Sequence, residues 1–371
     1  MDASMEFAPP LSGASPLFAA LRAGMPHLEW RVPAAADAAR WRVQRIGGRD
    51  YRVAQPVTFT PYASVRPCSA RCRFCSETLR PQAGGTAAAS LRPPPDYFAM
   101  LRQGLAQLSG LPLSQSLSGL EMTDDEAWFL QLLQTLGEAE REGLLVEQRV
   151  LYSNGAGFAR ARGDALLDAL QRFRLSWVEL SRHHPQQAGN DAIMRFRDGE
   201  AIADAQVFVA TAQRIAAALP LRLVCILQHG GIADADGVAG YLCWARQCGA
   251  TTVIFREFSR LGDGYRAGGT QRYLAQARVG VEQVVAACMA TPWWRTLRPL
   301  QITEGYYFWN LRMATADGLE VVFETSDYAA MQARHDSGDI YKLVFFADGR
   351  LCAGWQPDRD LLWQAGRGEH G

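Results

Sequence analysis

Three cysteines stand close together in the first quarter of the chain. Cys68, Cys72 and Cys75 have the spacing C-x3-C-x2-C, and the next Cys or His along the chain is the distant His183. A structural zinc site needs four ligands, usually in C-x2-C pairs. Three thiolates on a four-iron cube leave one iron without a protein ligand, as a reactive centre requires. The spacing therefore favours a [4Fe–4S] cluster, with a zinc or purely structural site as the alternative.

The composition is that of an ordinary globular protein. Of the 371 residues, 48% are hydrophobic and 20% are charged, which argues against a disordered chain. Lys plus Arg and Asp plus Glu each number 38, so the formal net charge is zero. A neutral chain gives no electrostatic reason to expect a nucleic acid or an anionic membrane as partner.

The cysteines also indicate the cellular compartment. Eight cysteines in a chain of this length are too sparse for a disulfide framework. The N-terminus lacks a signal-peptide pattern, and no run of 18 apolar residues predicts a membrane span. We therefore expect a cytoplasmic, reducing environment, in which clustered cysteines bind metal. The other five cysteines are dispersed, which argues against a second cluster.

From about residue 57 onward, β-rich runs alternate with helical patterns. Strand followed by helix, six times over, predicts a parallel sheet with crossover helices. Six units in about 200 residues favour a partial (β/α)6 TIM-like barrel over the complete eight-unit barrel. The predicted strands are Val57–Val65, Ser116–Glu121, Val146–Ser153, Ser176–Ser181, Leu221–Gln228 and Thr251–Phe258.

The flanking regions have different patterns. Residues 1–55 are predicted to form an N-terminal extension that includes a strand pair turning at Gly47-Gly48. Residues 56–295 form the predicted barrel. Residues 296–371 form a small antiparallel β-rich module, because Asp-Gly pairs at 317–318 and 348–349 lie between β-rich runs.

Two loops rich in Gly or Pro interrupt the barrel pattern. Arg80–Pro95 directly follows the cysteines, and long loops without regular structure are often functional. We expect it to act as a lid. Gly262–Gly269 is a second such loop, after the sixth predicted strand.

The cysteine motif resembles that of the radical S-adenosylmethionine (SAM) superfamily. It directly follows the first predicted barrel strand, and Phe74 precedes its last cysteine. The resemblance implies that the open iron chelates the amino and carboxylate groups of SAM. Reductive cleavage of SAM then gives methionine and a 5′-deoxyadenosyl radical. The family fold is a partial (β/α)6 barrel, in agreement with the strand count, and the resemblance covers roughly residues 57–260.

Further segments resemble the SAM-binding motifs of that family. Ser118-Gly119-Leu120-Glu121 is similar to its Gly-Gly-Glu segment, although Leu120 stands where the family has the second glycine. Tyr152-Ser153-Asn154-Gly155 looks like its Thr-Asn-Gly ending. The segment after the fourth strand looks like the one in which a polar residue meets the ribose and a later arginine the methionine carboxylate. The SAM-binding residues implied are Phe74, Gly119, Leu120, Glu121, Asn154, Glu179, Ser181, Arg195 and Gln228.

Alternation along the fourth strand separates its two faces. Glu179 and Ser181 are predicted to point into the barrel, and Val178 and Leu180 toward the helices. The alternative for Glu179 is an ion pair with Arg182 or Arg195 that only holds the loop.

Four residues near the strand ends are candidates for contact with the substrate. His183, His184 and His229 follow strands four and five, and histidine moves protons near neutral pH. In the sixth strand, Glu257 and Arg256 point in opposite directions. We prefer Glu257 as the residue that faces the substrate, with the reverse assignment as the alternative.

These observations lead to one main hypothesis. The chain resembles a radical SAM enzyme with a single cluster, which abstracts a hydrogen atom from a small organic substrate, in specialised metabolite biosynthesis. An electron donor such as flavodoxin or ferredoxin would reduce the cluster. The alternatives are a peptide or protein substrate, and a non-catalytic metal-binding or redox module.

Overall fold

The computed structural model describes residues 16–25, 27–31, 40–79, 91–260, 268–305, 307–335 and 338–366. Residues 80–90 of the predicted lid and residues 262–267 of the second loop lie outside this set. The helices described are α1 (Pro16–Gly24), α2 (Tyr97–Ala106), α3 (Glu126–Arg141), α4 (Ala156–Ala159), α5 (Gly163–Arg172), α6 (Gln187–Met194), α7 (Ala205–Ala218), α8 (Ala235–Gln247), α9 (Gly269–Ala277), α10 (Val281–Met289) and α11 (Tyr328–His335).

All the strands described belong to one open sheet. They are β1 (Glu29–Arg31), β2 (Trp41–Ile46), β3 (Arg49–Tyr62), β4 (Leu113–Leu117), β5 (Val146–Ser153), β6 (Trp177–Ser181), β7 (Leu221–Ile226), β8 (Thr252–Arg256), β9 (Arg298–Glu304), β10 (Phe308–Ala314), β11 (Glu320–Ser326), β12 (Asp339–Phe346), β13 (Arg350–Cys352) and β14 (Leu361–Gln364).

The six predicted barrel strands are present in the predicted order. Strands β3 to β8 are neighbours in sequence order, and each pairs in parallel with the next. Helices cross over between these strands, as a partial (β/α)6 barrel requires. The predicted fold class is therefore confirmed.

The two faces of the barrel strands bury different side chains, as the alternation in sequence predicts. Val178 and Leu180 of β6 are fully buried in the main hydrophobic core, against the helices. Glu179, which lies between them in sequence, points to the other face of the sheet, toward Arg256. On that face Val224, Ile254 and Val322 form a small apolar cluster of their own.

Three of the described helices, α3, α7 and α8, begin at a capping aspartate. Asp125 accepts a hydrogen bond from Trp128 N at 3.1 Å at the start of α3, and Asp234 accepts one from Gly237 N at 2.8 Å at the start of α8. Capping side chains satisfy backbone N–H groups that the first turn leaves unpaired. Helix α6 was not predicted, and the region after the second loop contains two separate helices, α9 and α10.

The C-terminal strands occupy both edges of the parallel sheet. β11 pairs in parallel with β8, and β9 and β10 continue antiparallel beyond it. β12 pairs in parallel with β3, and the antiparallel strands β13 and β14 follow. The antiparallel pairs predicted for this region are therefore present, and they extend the sheet in two directions.

The N-terminal region is joined to the same sheet. β2 and β3 form the predicted antiparallel pair, and Gly47 and Gly48 at its turn both have positive φ. β3 continues without interruption past residue 55. Among the residues described, no helix is both long enough and apolar enough to cross a bilayer.

Candidate functional site

The cysteine loop follows β3 and is bound to the end of α6. Arg71 N and Arg73 N donate to the carbonyl oxygens of Met194 and Ile193, at 3.1 and 3.0 Å. Ser69 N donates to Asp124 Oδ2 at 2.7 Å. Main-chain contacts to two separate segments therefore fix this loop, although it has little regular structure of its own.

The three thiols are partly buried and open into two cavities. The outer cavity, of about 720 Å³, is lined by the three cysteines together with Arg71, Arg73, Arg195 and Tyr273. The inner cavity, of about 350 Å³, is lined by the same cysteines and by barrel residues that include Tyr152, Ser181 and Arg256. The cysteine loop thus separates an outer space from the barrel interior.

Hydrogen-bond donors surround Cys68. Its Sγ accepts from Ala70 N at 3.4 Å and from Asn154 Nδ2 at 3.6 Å. Burial raises the pKa of the Cys68 and Cys72 thiols well above the ordinary value, and neighbouring acidic groups raise it further. A bound cation reverses this preference, because metal binding deprotonates thiols. Three thiols on one loop, with N–H donors directed at the sulfur of Cys68, fit an iron–sulfur cluster.

The other five cysteines are absent from the residues lining these cavities. Cys225, Cys248, Cys288 and Cys352 are buried in the protein, and Cys243 is exposed. Over the described ranges, no group of three or more His, Cys, Asp and Glu side chains is arranged to hold a single metal ion. That test concerns one shared ion, whereas a four-iron cube binds each thiolate on a separate iron.

Glu121, which follows β4, is buried and accepts several hydrogen bonds. Its Oε1 accepts from Thr123 Oγ1 at 2.6 Å and from Ser153 Oγ at 2.9 Å, and its Oε2 accepts from Asn154 N at 2.6 Å. Burial, followed by the negative charge of Asp124, raises the pKa of Glu121 to about 7. This carboxyl group therefore titrates close to neutral pH.

Gly119 and Leu120 bring the chain from β4 to Glu121. Both have positive φ, at 125° and 51°, which ends the strand earlier than the predicted Glu121. A Cβ on Gly119 would lie 2.9 Å from the Tyr62 ring. Leu120 adopts a left-handed conformation that a glycine takes without strain, at the position where the resembling family has its second glycine.

Most of the predicted SAM-binding residues come together around these cavities. Leu120 lines both cavities, and Arg195, which ends α6 with φ of 53°, lines the outer one. Glu179 and Gln228 are not among the lining residues. The predicted residues that line the inner cavity are Phe74, Gly119, Leu120, Glu121, Asn154, Ser181 and His183.

Gln228 is buried and engaged within the protein. Its Oε1 accepts from the Tyr273 hydroxyl at 2.6 Å, and its Nε2 donates to Ile226 O at 3.3 Å. The Arg73 guanidinium lies 4.1 Å from the centre of the Tyr273 ring. Gln228 therefore supports the residues that line the outer cavity.

Of the three candidate histidines, His183 lines the inner cavity. Its Nδ1 accepts from Ile226 N at 3.0 Å, and its ring meets that of Phe74 edge to face at 4.8 Å. Burial, followed by the positive charges of Arg182 and Arg256, lowers the pKa of His183 to about 3. The ring is therefore neutral, and its hydrogen bond at Nδ1 assigns the proton to Nε2.

The other two histidines and Glu257 do not line the inner cavity. His184 Nδ1 accepts a local bond from Gln186 N at 3.1 Å, and His229 is exposed. Glu257, which we expected to face the substrate, instead accepts from Arg278 Nη1 at 2.7 Å and from Val281 N at 3.1 Å. It holds the start of α10, because the end of β8 turns its side chain away from the interior.

The reverse assignment for the sixth strand is the one observed. Arg256 lines the inner cavity, where its Nε donates to Glu324 Oε1 at 2.5 Å and its Nη2 to Glu179 Oε2 at 3.5 Å. The interior orientation predicted for Glu179 agrees with this contact. Its ion pair is with Arg256, rather than with Arg182 or Arg195. Sequence reasoning missed Glu324, because the pairing of β11 with β8 has no local pattern.

Aromatic residues complete the inner cavity. Tyr62 and Trp355 meet edge to face with ring centres 5.1 Å apart, and both line it. Tyr152 and Phe258 also contribute to the lining. Trp355 was not predicted, because it follows β13 at the far end of the sequence.

No protein-family model and no curated protein sequence matches the chain. Solved structures do resemble it. SuiB from Streptococcus suis, bound to S-adenosylmethionine, is 12% identical with a TM-score of 0.45, over 81% of this chain and 60% of SuiB. SuiB bound to the precursor peptide SuiA is 15% identical with a TM-score of 0.38, over 55% of this chain and 39% of SuiB.

Two further structures show similar values. anSMEcpe with bound AdoMet is 13% identical with a TM-score of 0.40, over 53% of this chain and 50% of that one. The radical SAM methyltransferase TsrM from Kitasatospora setae, with tryptophan and a SAM analogue bound, is 14% identical with a TM-score of 0.36. That match covers 54% of this chain and 35% of TsrM. These neighbours are radical SAM enzymes, the superfamily that the cysteine motif resembles. The matches span between 35% and 60% of their lengths.

Proposed function

We propose that this chain is a radical SAM enzyme that holds one [4Fe–4S] cluster on Cys68, Cys72 and Cys75. One observation carries the proposal: three thiols on a single fixed loop open into the interior of a partial barrel, and none of the other five cysteines lines that space. Three protein ligands leave one iron of a cube available to a small molecule.

The inner cavity would hold SAM next to the cluster. Glu121 Oε2 accepts one hydrogen bond from the protein, so the carboxylate retains an acceptor position for the ammonium of SAM. Asn154 fixes both the Glu121 carboxylate and the cysteine loop. Gly119, Leu120, Ser181 and Phe74 would supply the remaining walls, and Arg195 would meet the methionine carboxylate from the side of the outer cavity.

When bound, the reduced cluster supplies the electron that cleaves SAM to a 5′-deoxyadenosyl radical, which abstracts a hydrogen atom from the substrate. The protein provides position and excludes water. Phe74 and Phe258 give the cavity apolar walls, and the neutral His183 offers an Nε2–H donor beside them. His183 acts in this role as a hydrogen-bond donor and not as a base.

The modest volume of the inner cavity, about 350 Å³, favours a small organic substrate over a peptide. Its walls are barrel side chains and the cysteine loop, as a small molecule held inside the barrel would need. An electron donor such as flavodoxin or ferredoxin would reduce the cluster. A cytoplasmic location belongs to the same proposal, because thiols and iron–sulfur clusters persist in reducing compartments.

Anaerobic reconstitution tests the proposal. The protein is incubated with iron and sulfide, and its metals are then counted. Next, SAM and a chemical reductant are added. We expect about four irons per chain and formation of 5′-deoxyadenosine. Zinc in place of iron, or a loaded cluster without SAM cleavage, would contradict the proposal and favour a metal-binding or redox module. A mass shift on a co-purified peptide would indicate the peptide alternative.

A further inference from the structure

Arg256 is the one arginine or lysine among the described residues that line the inner cavity. The carboxyl groups that line the same cavity belong to Glu77, just after the cysteines, and to Glu121, which follows β4. Arg256 ends β8 and shares the cavity with the aromatic rings of Phe258 and Trp355. The function proposed above gives this cation no task.

Two glutamates fix the guanidinium of Arg256. Glu324 of β11 accepts from Nε at 2.5 Å, and Glu179 of β6 accepts from Nη2 at 3.5 Å. Trp177 Nε1 donates to the second oxygen of Glu179 at 3.3 Å. Neither glutamate is among the residues lining the cavity, so they hold the arginine from outside it. A guanidinium fixed in this way loses little conformational entropy when it binds a ligand.

Part of the guanidinium remains available. Arginine has five N–H donors, and the glutamates use one on Nε and one on Nη2. The structure gives Nη1 no partner among the described residues. The planar fork of arginine pairs with carboxylates through two parallel hydrogen bonds. Nη1 and the second hydrogen of Nη2 have the geometry for such a pair.

The surrounding charges tolerate one more anion. Arg222 of β7 is close enough to Glu179 to lower the pKa of that carboxyl group, although burial dominates and raises it. Two arginines and two glutamates together carry no net charge. His183 is neutral, because burial and the nearby arginines lower its pKa to about 3. The charges around Arg256 are thus balanced, and its remaining N–H groups match a single carboxylate.

We propose that Arg256, held by Glu179 and Glu324, binds a carboxylate of the substrate inside the barrel. The substrate is then a small organic acid whose apolar part lies against the aromatic walls. This inference rests on the proposed function, because it assigns a substrate class to the same cavity. Arg256 is a specificity-determining residue, and Glu324 is a positioning residue that acts through it.

Matched probes test the substrate class without a known substrate. Phenylacetate, phenylacetamide and phenethylamine share one ring and differ in charge. Their binding to the reconstituted protein with SAM present is measured by ligand-observed NMR. We expect phenylacetate to bind at least about tenfold more tightly than the amide, since charge-assisted bonds are about twice as strong as neutral ones. The amine should bind more weakly than both.

Variants of Arg256 test whether this arginine causes the preference for the acid over the amide. In Arg256→Gln, the acid and the amide should bind equally. Arg256→Lys keeps the charge without the planar fork, so it should retain part of the preference, and it provides the test if Arg256→Gln does not fold. The control is Arg312→Gln, which removes an arginine paired with Glu320 at 2.7 Å outside the cavity. The control should keep the full preference.

Several outcomes overturn the inference. Equal binding of acid and amide to the unaltered protein would do so, as would no binding of either up to about 10 mM. Retention of the preference in both Arg256 variants would also do so. A tenfold loss of SAM affinity in Arg256→Lys would assign the arginine to SAM instead. Failure of the proposed function is visible separately, as missing iron or missing 5′-deoxyadenosine in the unaltered protein.

Discussion

The side-chain amide of Asn154 donates a hydrogen bond to the Ser69 hydroxyl at 2.9 Å. This bond joins the end of β5 to the cysteine loop across 85 residues of sequence. The backbone N–H of Asn154 also donates to Glu121. One residue therefore sets the distance between the thiols and the carboxyl group that we assign to SAM.

Asn154→Ala should weaken both the fold and the retention of iron. Loss of bonds to Ser69 and Cys68 leaves buried groups unsatisfied, at a cost of about 1 to 3 kcal/mol in the free energy of unfolding. Denaturant unfolding measures the first effect, and iron content after gel filtration measures the second. Gln134→Ala, which removes an exposed bond on α3, is the control. Unchanged iron content would show that Asn154 does not support the cluster.

Cys72→Ala should abolish the absorption near ~410 nm that is typical of iron–sulfur proteins. Cys72 lies between the other two thiols in sequence and lines both cavities. Cys243→Ala removes an exposed cysteine elsewhere and should leave the spectrum unchanged. A complete cluster in the Cys72 variant would mean that the ligands are misassigned.

Glu121 should make the metal-free protein less stable as the pH rises from about 4.5 to about 7. The pKa of Glu121 is raised from 4.5 to about 7, so between these values the folded state keeps a proton that the unfolded state has released. The free energy of unfolding should fall by up to about 3 kcal/mol over this range. Denaturant unfolding at a series of pH values measures the slope.

Glu121→Gln should remove most of that slope, whatever its effect on the absolute stability. Glu147→Gln alters an exposed glutamate on β5 and should leave the slope in place. An identical slope in the protein and in Glu121→Gln would assign the titration to another group.

His183 should make the protein less stable as the pH falls, whereas Glu121 does so as the pH rises. Its pKa is lowered from 6.5 to about 3, so below pH 6.5 the unfolded state gains a proton that the folded state does not bind. Stability is therefore lost as the pH falls from 6.5 toward 3, by up to about 5 kcal/mol. His183→Gln should flatten this limb, whereas His184→Gln, in the adjacent loop position, should not. Proton NMR of the histidine ring gives an independent measurement of the pKa.

Gly119→Ala should destabilise the protein by about 2 kcal/mol or more, because it places a Cβ both at positive φ and against Tyr62. Gly240→Ala, in α8, meets no atom within 4 Å and should instead stabilise the helix by up to about 1 kcal/mol. Thermal unfolding compares the two. Equal effects would show that the turn at Gly119 is less constrained than its geometry indicates.

Local patterns were sufficient for the parallel part of the fold. Strand β5 begins and ends where its sequence pattern predicts, because apolar alternation reflects burial directly. The same alternation placed Glu179 and Ser181 toward the interior. The ends of strands were harder to predict. At the end of β8, an error of one residue in the alternation exchanges the inward and outward faces. Arg256 therefore lines the cavity where Glu257 was expected.

Contacts distant in sequence were not predictable from one chain. Glu324 reaches Arg256 because β11 pairs with β8, and Trp355 reaches the inner cavity because β12 pairs with β3. No local sequence pattern predicts the register between strands so distant in sequence. The histidines illustrate the same limit. His183 and His184 are neighbours in sequence, yet burial separates them, and burial depends on what packs against the loop.

Because β11 and β12 pair with opposite edges of the parallel sheet, those two edges stay unpaired for much of the chain's synthesis. The ribosome completes β3 nearly 280 residues before its partner β12 emerges, since the register joins Arg52 to Asp339. Until then one flank of the nascent barrel presents unpaired main-chain groups, as β8 does on the other flank for about 70 residues. Exposed strand edges of this kind promote aggregation. Strands β11 and β12 therefore cover edges that stay exposed during synthesis. Overproduction should accordingly depend strongly on chaperones and on slow translation.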